Sequence, residues 1–311
     1  MDLVKLRDKY GKKELDKPSY ISLMHTKYQE LFQLANYLKE YGSDIESIKV
    51  EKKGVKFITK EKYVFVFSPY DTRCAPIEAL NFSIYENEDS KWIYRLVKNG
   101  DAIFDIGANI GWYSVHLAKK FPESNIYAFE PIPETFEYLN KNINLNEVDN
   151  INAYNLALSN EQGEQDLFFE KDNSARASLA NLSENDAIVK ISSKLERLDT
   201  FVLQLNGMIK VDFIKCDCEG AELLVFKGAK NVIYADKPIV FTEMLRKWSA
   251  KFGYHPNDII NFFGELGYSC FYSNLDKLAQ IDEVNDSTIE TNFIFLHRGK
   301  HKSVIRNFSK D

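Results

Sequence analysis

The chain has 311 residues, enough for one large or two modest folding units, with 44% hydrophobic, 28% charged and 14% aromatic residues. That composition excludes wholesale disorder. Forty Lys+Arg against 46 Asp+Glu leave a formal charge of −6, which argues against a nucleic-acid partner held by phosphate neutralisation. No run of about 20 apolar residues occurs, so no membrane span is expected.

The opening residues Met1–Lys9 lack the apolar centre of a secretory leader. The four cysteines, Cys74, Cys216, Cys218 and Cys270, suggest no disulfide framework, and a reduced, cytoplasmic setting is expected. Residues 1–18 read as charged and irregular. From Ser19, a candidate N-cap, Ile21, Met24, Tyr28, Leu31, Phe32, Leu34, Ala35 and Leu38 recur at helical spacing up to a stop at Gly42. An amphipathic helix packed on its own chain is the plainer reading, and a partner-binding helix the alternative. Ile45–Val50, Val55–Thr59 and Tyr63–Phe67 are β-branched and aromatic runs that read as a small antiparallel meander. We therefore expect an extension over residues 1–90, contacting substrate or a second subunit of a homodimer, ahead of a domain over 91–311.

From about residue 90 strands and helices alternate. Strands are expected at Ala102–Ile106, Asn125–Phe129, Ile151–Ala157, Phe213–Cys218, Ile239–Glu243, Tyr268–Tyr272 and Asn292–Leu296. Helices are expected at Trp112–Phe121, Pro133–Asn144, Ala221–Asn231 and Asn257–Leu266. The alternation predicts an α/β fold with a parallel sheet covered on both faces. Gln165–Glu170 and Ile188–Ser193 read as inserted strands around a polar loop at Asp172–Ser178.

The most informative segment is Asp105-Ile106-Gly107-Ala108-Asn109-Ile110-Gly111-Trp112-Tyr113-Ser114, a strand end, a turn and a helix start. Ligands of open α/β sheets bind beyond such strand ends, where Gly107 and Gly111 allow a sharp turn and close approach. A dinucleotide fingerprint needs glycine at 109 and 112, where Asn109 and Trp112 stand, and no Gly-Lys-Ser/Thr follows for a phosphate loop. The charge of Asp105 suits a cationic ligand rather than a phosphate.

Glu130, in Phe129-Glu130-Pro131, ends the next strand, where a carboxylate can accept from both hydroxyls of a ribose. Ala157-Leu158-Ser159 offers an apolar wall for a base. A third element, Ile214-Lys215-Cys216-Asp217-Cys218-Glu219-Gly220-Ala221-Glu222, places Lys215, Asp217 and Glu219 on one strand face, with Cys216 and Cys218 opposite. A structural ion pair with capping carboxylates is the alternative there.

These motifs, with Leu198-Asp199-Thr200-Phe201 and Lys227-Gly228-Ala229, resemble the FkbM-type S-adenosylmethionine-dependent methyltransferases over residues 80–298. Cys216 and Cys218 depart from the aliphatic residues usual around that aspartate. The resemblance implies a Rossmann-like class I methyltransferase fold, seven-stranded and mostly parallel with an antiparallel last strand. It implies O-methylation of a hydroxyl on a sugar, polysaccharide or natural product, with S-adenosylmethionine as donor and S-adenosylhomocysteine as product. Asp105, Gly107, Ala108, Asn109, Gly111 and Ser114 are then expected around the methionine part, with Glu130 and Pro131 at the ribose and Ala157 and Leu158 at the adenine.

Such a donor is already activated, so alignment of donor and acceptor is the main task, aided by a base that removes the hydroxyl proton. Asp217 is expected near the donor's positive charges. Asp217 and Glu243 rank first as bases, Glu219 next and His255 last. A hard metal ion on Asp217, Glu219 and Glu243 is chemically feasible, but no compact motif demands one and none is expected. A nicotinamide-dependent oxidoreductase and a non-catalytic nucleoside-binding module are the alternatives. Tyr70, Tyr85, Trp92 and Trp248 are candidates to stack on sugar rings, or simply core.

Overall fold

The computed structural model describes residues 2–170, 173–178, 188–205 and 209–309. Across its central eight-stranded sheet run Lys277–Ile281, Tyr268–Asn274, Asn292–His297, Ile239–Glu243, Phe213–Cys216, Ala102–Ile106, Asn125–Phe129 and Ile151–Tyr154. The five strands from Ile239–Glu243 to Ile151–Tyr154 pair in parallel, and Asn292–His297 enters antiparallel beside Ile239–Glu243. The eighth strand, beyond the seven expected, is the hairpin return Lys277–Ile281.

These strands read as continuous apolar runs because both faces are covered. Phe104 and Ile214 join one cluster with Phe226 and Phe263 of the covering helices. Their neighbours Ile103 and Phe213 point the other way, into a cluster with Trp112, Val115 and Trp92. Phe104, Phe213 and Trp92 have no exposed surface, and each contributes on the order of 2 kcal/mol by its burial.

The meander over Ile45–Glu51, Gly54–Thr59 and Val64–Phe65 packs on this second face. Phe65 lies 4.8 Å from the Trp112 ring, and Asn142 and Asn146 each accept from meander backbone at 2.8 Å. Two further helices, Ala75–Phe82 and Asn87–Leu96, precede the first core strand. They bring residues 73–89 against the sheet's carboxyl edge.

Several local expectations change. Within the stretch expected to be irregular, Leu3–Gly11 is a helix whose first turn is capped by Asp2, accepting from Lys5 N–H at 2.8 Å. The long helix runs Lys17–Tyr41 and is capped by Asp16, while Ser19 hydrogen-bonds to that cap instead of forming it. This helix fully buries no residue, so the plainer reading of its apolar stripe is met only in part; Ile21 and Phe32 are 55% and 67% exposed. The expected strand Ile151–Ala157 divides, because Ala157–Leu158 crosses to a second sheet beside Ile188–Glu196. The expected polar loop holds a strand at Asn173–Ser178, and Asp172 lies outside the described residues.

Candidate active site

The first core strand ends at Ile106, and the turn after it is built on three left-handed residues, Gly107, Asn109 and Gly111, at φ 80°, 51° and 87°. Asparagine tolerates this region better than most residues, and the Asn109 Oδ1 accepts from Ile110 N–H at 2.7 Å. A Cβ on Gly107 would stand 1.9 Å from the carbonyl oxygen of Asp217, so the turn and the Asp217 loop touch backbone to backbone. The N–H groups of Gly107 and Ala108 both donate to Phe129 O, at 3.0 and 2.9 Å.

The next N–H in line, Asn109, donates to Glu130 Oε2 at 2.9 Å, and Ile132 N–H donates to Oε1 at the same distance. Burial pushes the Glu130 carboxyl up to about 7, against the pull of those two N–H groups. Glu130 and the turn line one cleft of about 990 Å³ counted to its open mouth. Its walls are apolar, from Phe129, Pro131 and Leu156 to Leu158, and Asp217 and Glu219 stand at the other end.

Asp105 and Ser114 sit behind this cleft rather than on it. Asp105 is fully buried, its Oδ2 taking the Ser114 hydroxyl at 2.6 Å while Oδ1 faces Lys215 Nζ at 3.8 Å. The sequence reading puts both at the ligand. In the structure both are fully buried and neither lines the cleft, because the strand carries Asp105 inward between two covered faces.

The strand Phe213–Cys216 stops before Asp217, so strict alternation does not govern residues 217–219. Asp217 still turns back to Lys215, at 3.3 Å, but Glu219 is positioned by a left-handed turn at φ 50°. Glu222 clamps that turn by accepting from Cys218 and Gly220 N–H at 2.9 and 3.1 Å. Oxygens of Asp217, Glu219 and Glu243 converge within 4.8 Å of one another. Burial, then repulsion from Asp217 and Glu219, drives the Glu243 carboxyl far above the usual range.

Other expected residues go elsewhere. His255 is occupied as the cap of the Pro256–Glu265 helix, its Nδ1 accepting from Asn257 N–H at 3.2 Å. Trp92 is core, with its indole N–H donating to Ser273. Tyr70 is 72% exposed, whereas Tyr85 lines the cleft. Ala157 and Leu158 line it as well.

The sequence reading misses Glu86, Asp89 and Tyr113. Tyr113 donates its hydroxyl to Glu86 at 2.6 Å, and Asp89 accepts from Asn292 at 2.9 Å. Burial first, and then neighbouring carboxylates, push Asp89 up to about 7. Glu86 is a non-glycine residue at φ 44°, a conformation that signals local constraint.

A mostly parallel sheet with one antiparallel strand inserted near its end, and a cleft at the carboxyl edge, defines a class I methyltransferase fold. The chain belongs to the Methyltransferase FkbM domain family, whose model matches residues 105–270, more than half of its length. Methyltransferase 1 of Beauveria bassiana is 26% identical over 215 residues, covering 64% of this chain and 75% of the relative. Methyltransferase sdnD of Sordaria araneosa is 29% identical over 153 residues, covering 40% and 59%. The hexuronic acid methyltransferase AglP of Haloferax volcanii is 26% identical over 193 residues, covering 62% and 73%. A crystal structure of an FkbM methyltransferase from Methylobacillus flagellatus KT matches 74% of this chain and 56% of that chain, with 15% identity and a TM-score of 0.41. Family membership sets aside the nicotinamide alternative.

Proposed function

We propose that this chain is an S-adenosylmethionine-dependent O-methyltransferase acting on a hydroxyl of a sugar, polysaccharide or natural product. The observation that carries this reading is the junction of the Gly107–Gly111 turn with Glu130 on one cleft whose far end is acidic. The donor set fits the cofactor: a buried carboxylate for ribose hydroxyls, an apolar slot for adenine, and carboxylates that outnumber the one buried ammonium, Lys215, at the reactive end. Bound there, the cofactor supplies a methyl group already activated on a sulfonium.

The chain's own residues then hold and align. Glu130 accepts from the ribose hydroxyls, and Pro131, Ala157 and Leu158 pack the base. The turn of Gly107, Ala108, Asn109 and Gly111 holds the methionine end, with Asp105 and Ser114 bracing it from behind. Asp217 lies beside the positive centre and is the leading base for the acceptor hydroxyl, with Glu219 as its neighbour. Glu243, held protonated at neutral pH, keeps a proton at its carboxyl that a hydrogen bond to the acceptor can use.

The acceptor class draws support from the name of AglP, and residues 1–90 supply Tyr85, Glu86 and Asp89 beside the acidic edge. We take the reaction to be metal-independent, the setting cytoplasmic, and the exposed Lys17–Tyr41 helix a candidate homodimer contact. Calorimetry with S-adenosylmethionine, followed by transfer of labelled methyl to a panel of glycans and natural products, tests the reading. No cofactor binding rejects it. Binding without transfer to any acceptor favours a non-catalytic nucleoside-binding module.

A further inference from the structure

A cation stands among the carboxylates at the end of the cleft. Lys215 is 5% exposed, and its Nζ lies 3.3 Å from Asp217 Oδ2 and 3.8 Å from Asp105 Oδ1. The same ammonium sits over the Tyr113 ring, 5.1 Å from its centroid, and the Tyr113 hydroxyl binds Glu86. Among the described residues Asp105 Oδ1 has no hydrogen bond of its own, so the ammonium is what faces that buried oxygen.

We propose that Lys215 is the positioning residue of this cleft: it fixes the Asp217 carboxylate at the ligand edge and braces the buried Asp105 side chain beneath the cofactor turn. The inference rests on the methyl-transfer reading and gives Lys215 no contact with the reacting atoms. Two strands are joined by it, since Asp105 lies one residue before the end of one strand and Lys215 stands opposite it in the paired neighbour. The turn after Asp105 and the loop after Lys215 meet at Gly107 and Asp217. The ammonium therefore ties together the two backbone segments that form the methionine end of the site.

The groups facing this pair come from every surrounding element. Lys215 faces Asp105, Asp217, Glu86, Glu130 and Tyr113. Asp217 faces Glu86, Asp89, Glu219, Glu222, Glu243 and Tyr85. Burial raises Asp105, Glu86 and Glu130, and the charge of Lys215 opposes that rise at all three. Without it these carboxylates take up protons at higher pH.

The test compares Lys215→Met and Lys215→Arg with the unaltered chain, by calorimetry with S-adenosylmethionine across pH 6–8 and by thermal unfolding without ligand. Lys215→Met is expected to bind about tenfold more weakly at pH 7, with the midpoint of its pH dependence raised by about one unit. Lys215→Arg, which keeps the charge, is expected to recover the unaltered midpoint. Without ligand, Lys215→Met should lose thermal stability more steeply as pH rises from 5 to 8. The sign is set by Asp105, which is then raised further above its unfolded value and is stabilising only while protonated.

An unchanged midpoint in Lys215→Met overturns the proposal, as does an arginine variant that behaves like the methionine one. Should Lys215→Met fail to fold, the double variant Asp105→Asn/Lys215→Met removes the buried pair together. It should still show the raised binding midpoint through Glu130, and a normal midpoint or a second failure to fold overturns the proposal. No binding by the unaltered chain overturns the methyltransferase reading and the role of Lys215 toward the cofactor, while the thermal slope still reports the ion pair.

Discussion

The Asn109 N–H donates to Glu130 Oε2 at 2.9 Å, joining two residues 21 apart in the chain across adjacent strand ends. Each half explains the other. Asn109 adopts its left-handed conformation so that its N–H points at the carboxylate, and the carboxylate accepts burial because two N–H groups meet it. Replacing Glu130 by Gln keeps the shape and removes the charge. We expect a loss of S-adenosylmethionine affinity of about 10- to 100-fold, the range for a hydrogen bond to a charged group. Calorimetry at pH 8 measures it, and wild-type affinity in this variant would refute the ribose assignment.

The same carboxyl sets a pH dependence. Burial pushes Glu130 up to about 7, and only its ionised form accepts from both ribose hydroxyls. Affinity for the cofactor should therefore rise as pH increases through about 7 and level off above it. In Glu130→Gln that step should vanish. A flat profile from pH 6 to 8 in the unaltered chain would contradict the assignment.

At the acidic edge, the two leading base candidates part company. Glu243 is driven above the usual carboxylate range by burial and by Asp217 and Glu219, so it carries a proton at neutral pH. An amide resembles that protonated form. Glu243→Gln should cost about tenfold in turnover, whereas Asp217→Asn should cost about 10²–10⁴-fold if Asp217 is the base. Labelled-methyl turnover at saturating cofactor separates the two, and equal losses would remove the distinction.

How much of the fold and the site is legible in the sequence depends on how local each piece is. The turn from Asp105 to Gly111 and the strand-end Glu130 can be read because each sits within one short segment of fixed order. The supporting role of Asp105 and Ser114 cannot, since a strand's inward and outward faces depend on what covers it. Glu86 and Asp89 are invisible for another reason: they reach the site through tertiary packing, and Asp89 meets Asn292 across 203 residues of chain. His255 misleads because a loop histidine before Pro256 looks the same whether it caps a helix or faces a cleft. The end of the Phe213–Cys216 strand is also hidden, as Asp217 and Cys218 continue an alternation that the backbone abandons.

Gly107 gives a prediction about stability. Its φ of 80° is left-handed, and an added Cβ would lie 1.9 Å from Asp217 O, a backbone atom that cannot move without disturbing the loop. Left-handed strain and overpacking together should make Gly107→Ala cost roughly 2–4 kcal/mol. Gly11→Ala is the control, because its Cβ would meet nothing within 4 Å and its φ is not left-handed. Denaturant unfolding measures both, and equal stabilities would show that the turn relaxes without the Asp217 contact.

The convergence of Asp217, Glu219 and Glu243 within 4.8 Å also bears on metal dependence. Hard oxygen ligands at that spacing suit magnesium or calcium. Two features offset the same repulsion without an ion: Lys215 lies 3.3 Å from Asp217, and Glu243 retains a proton. A divalent cation would have to displace that proton and compete with the ammonium. Methyl transfer should therefore proceed at an unchanged rate after dialysis against chelator and in its continued presence. Activity lost in chelator and restored by magnesium would show that the three carboxylates share a required ion, and would assign Glu243 an ionised role in place of the protonated one.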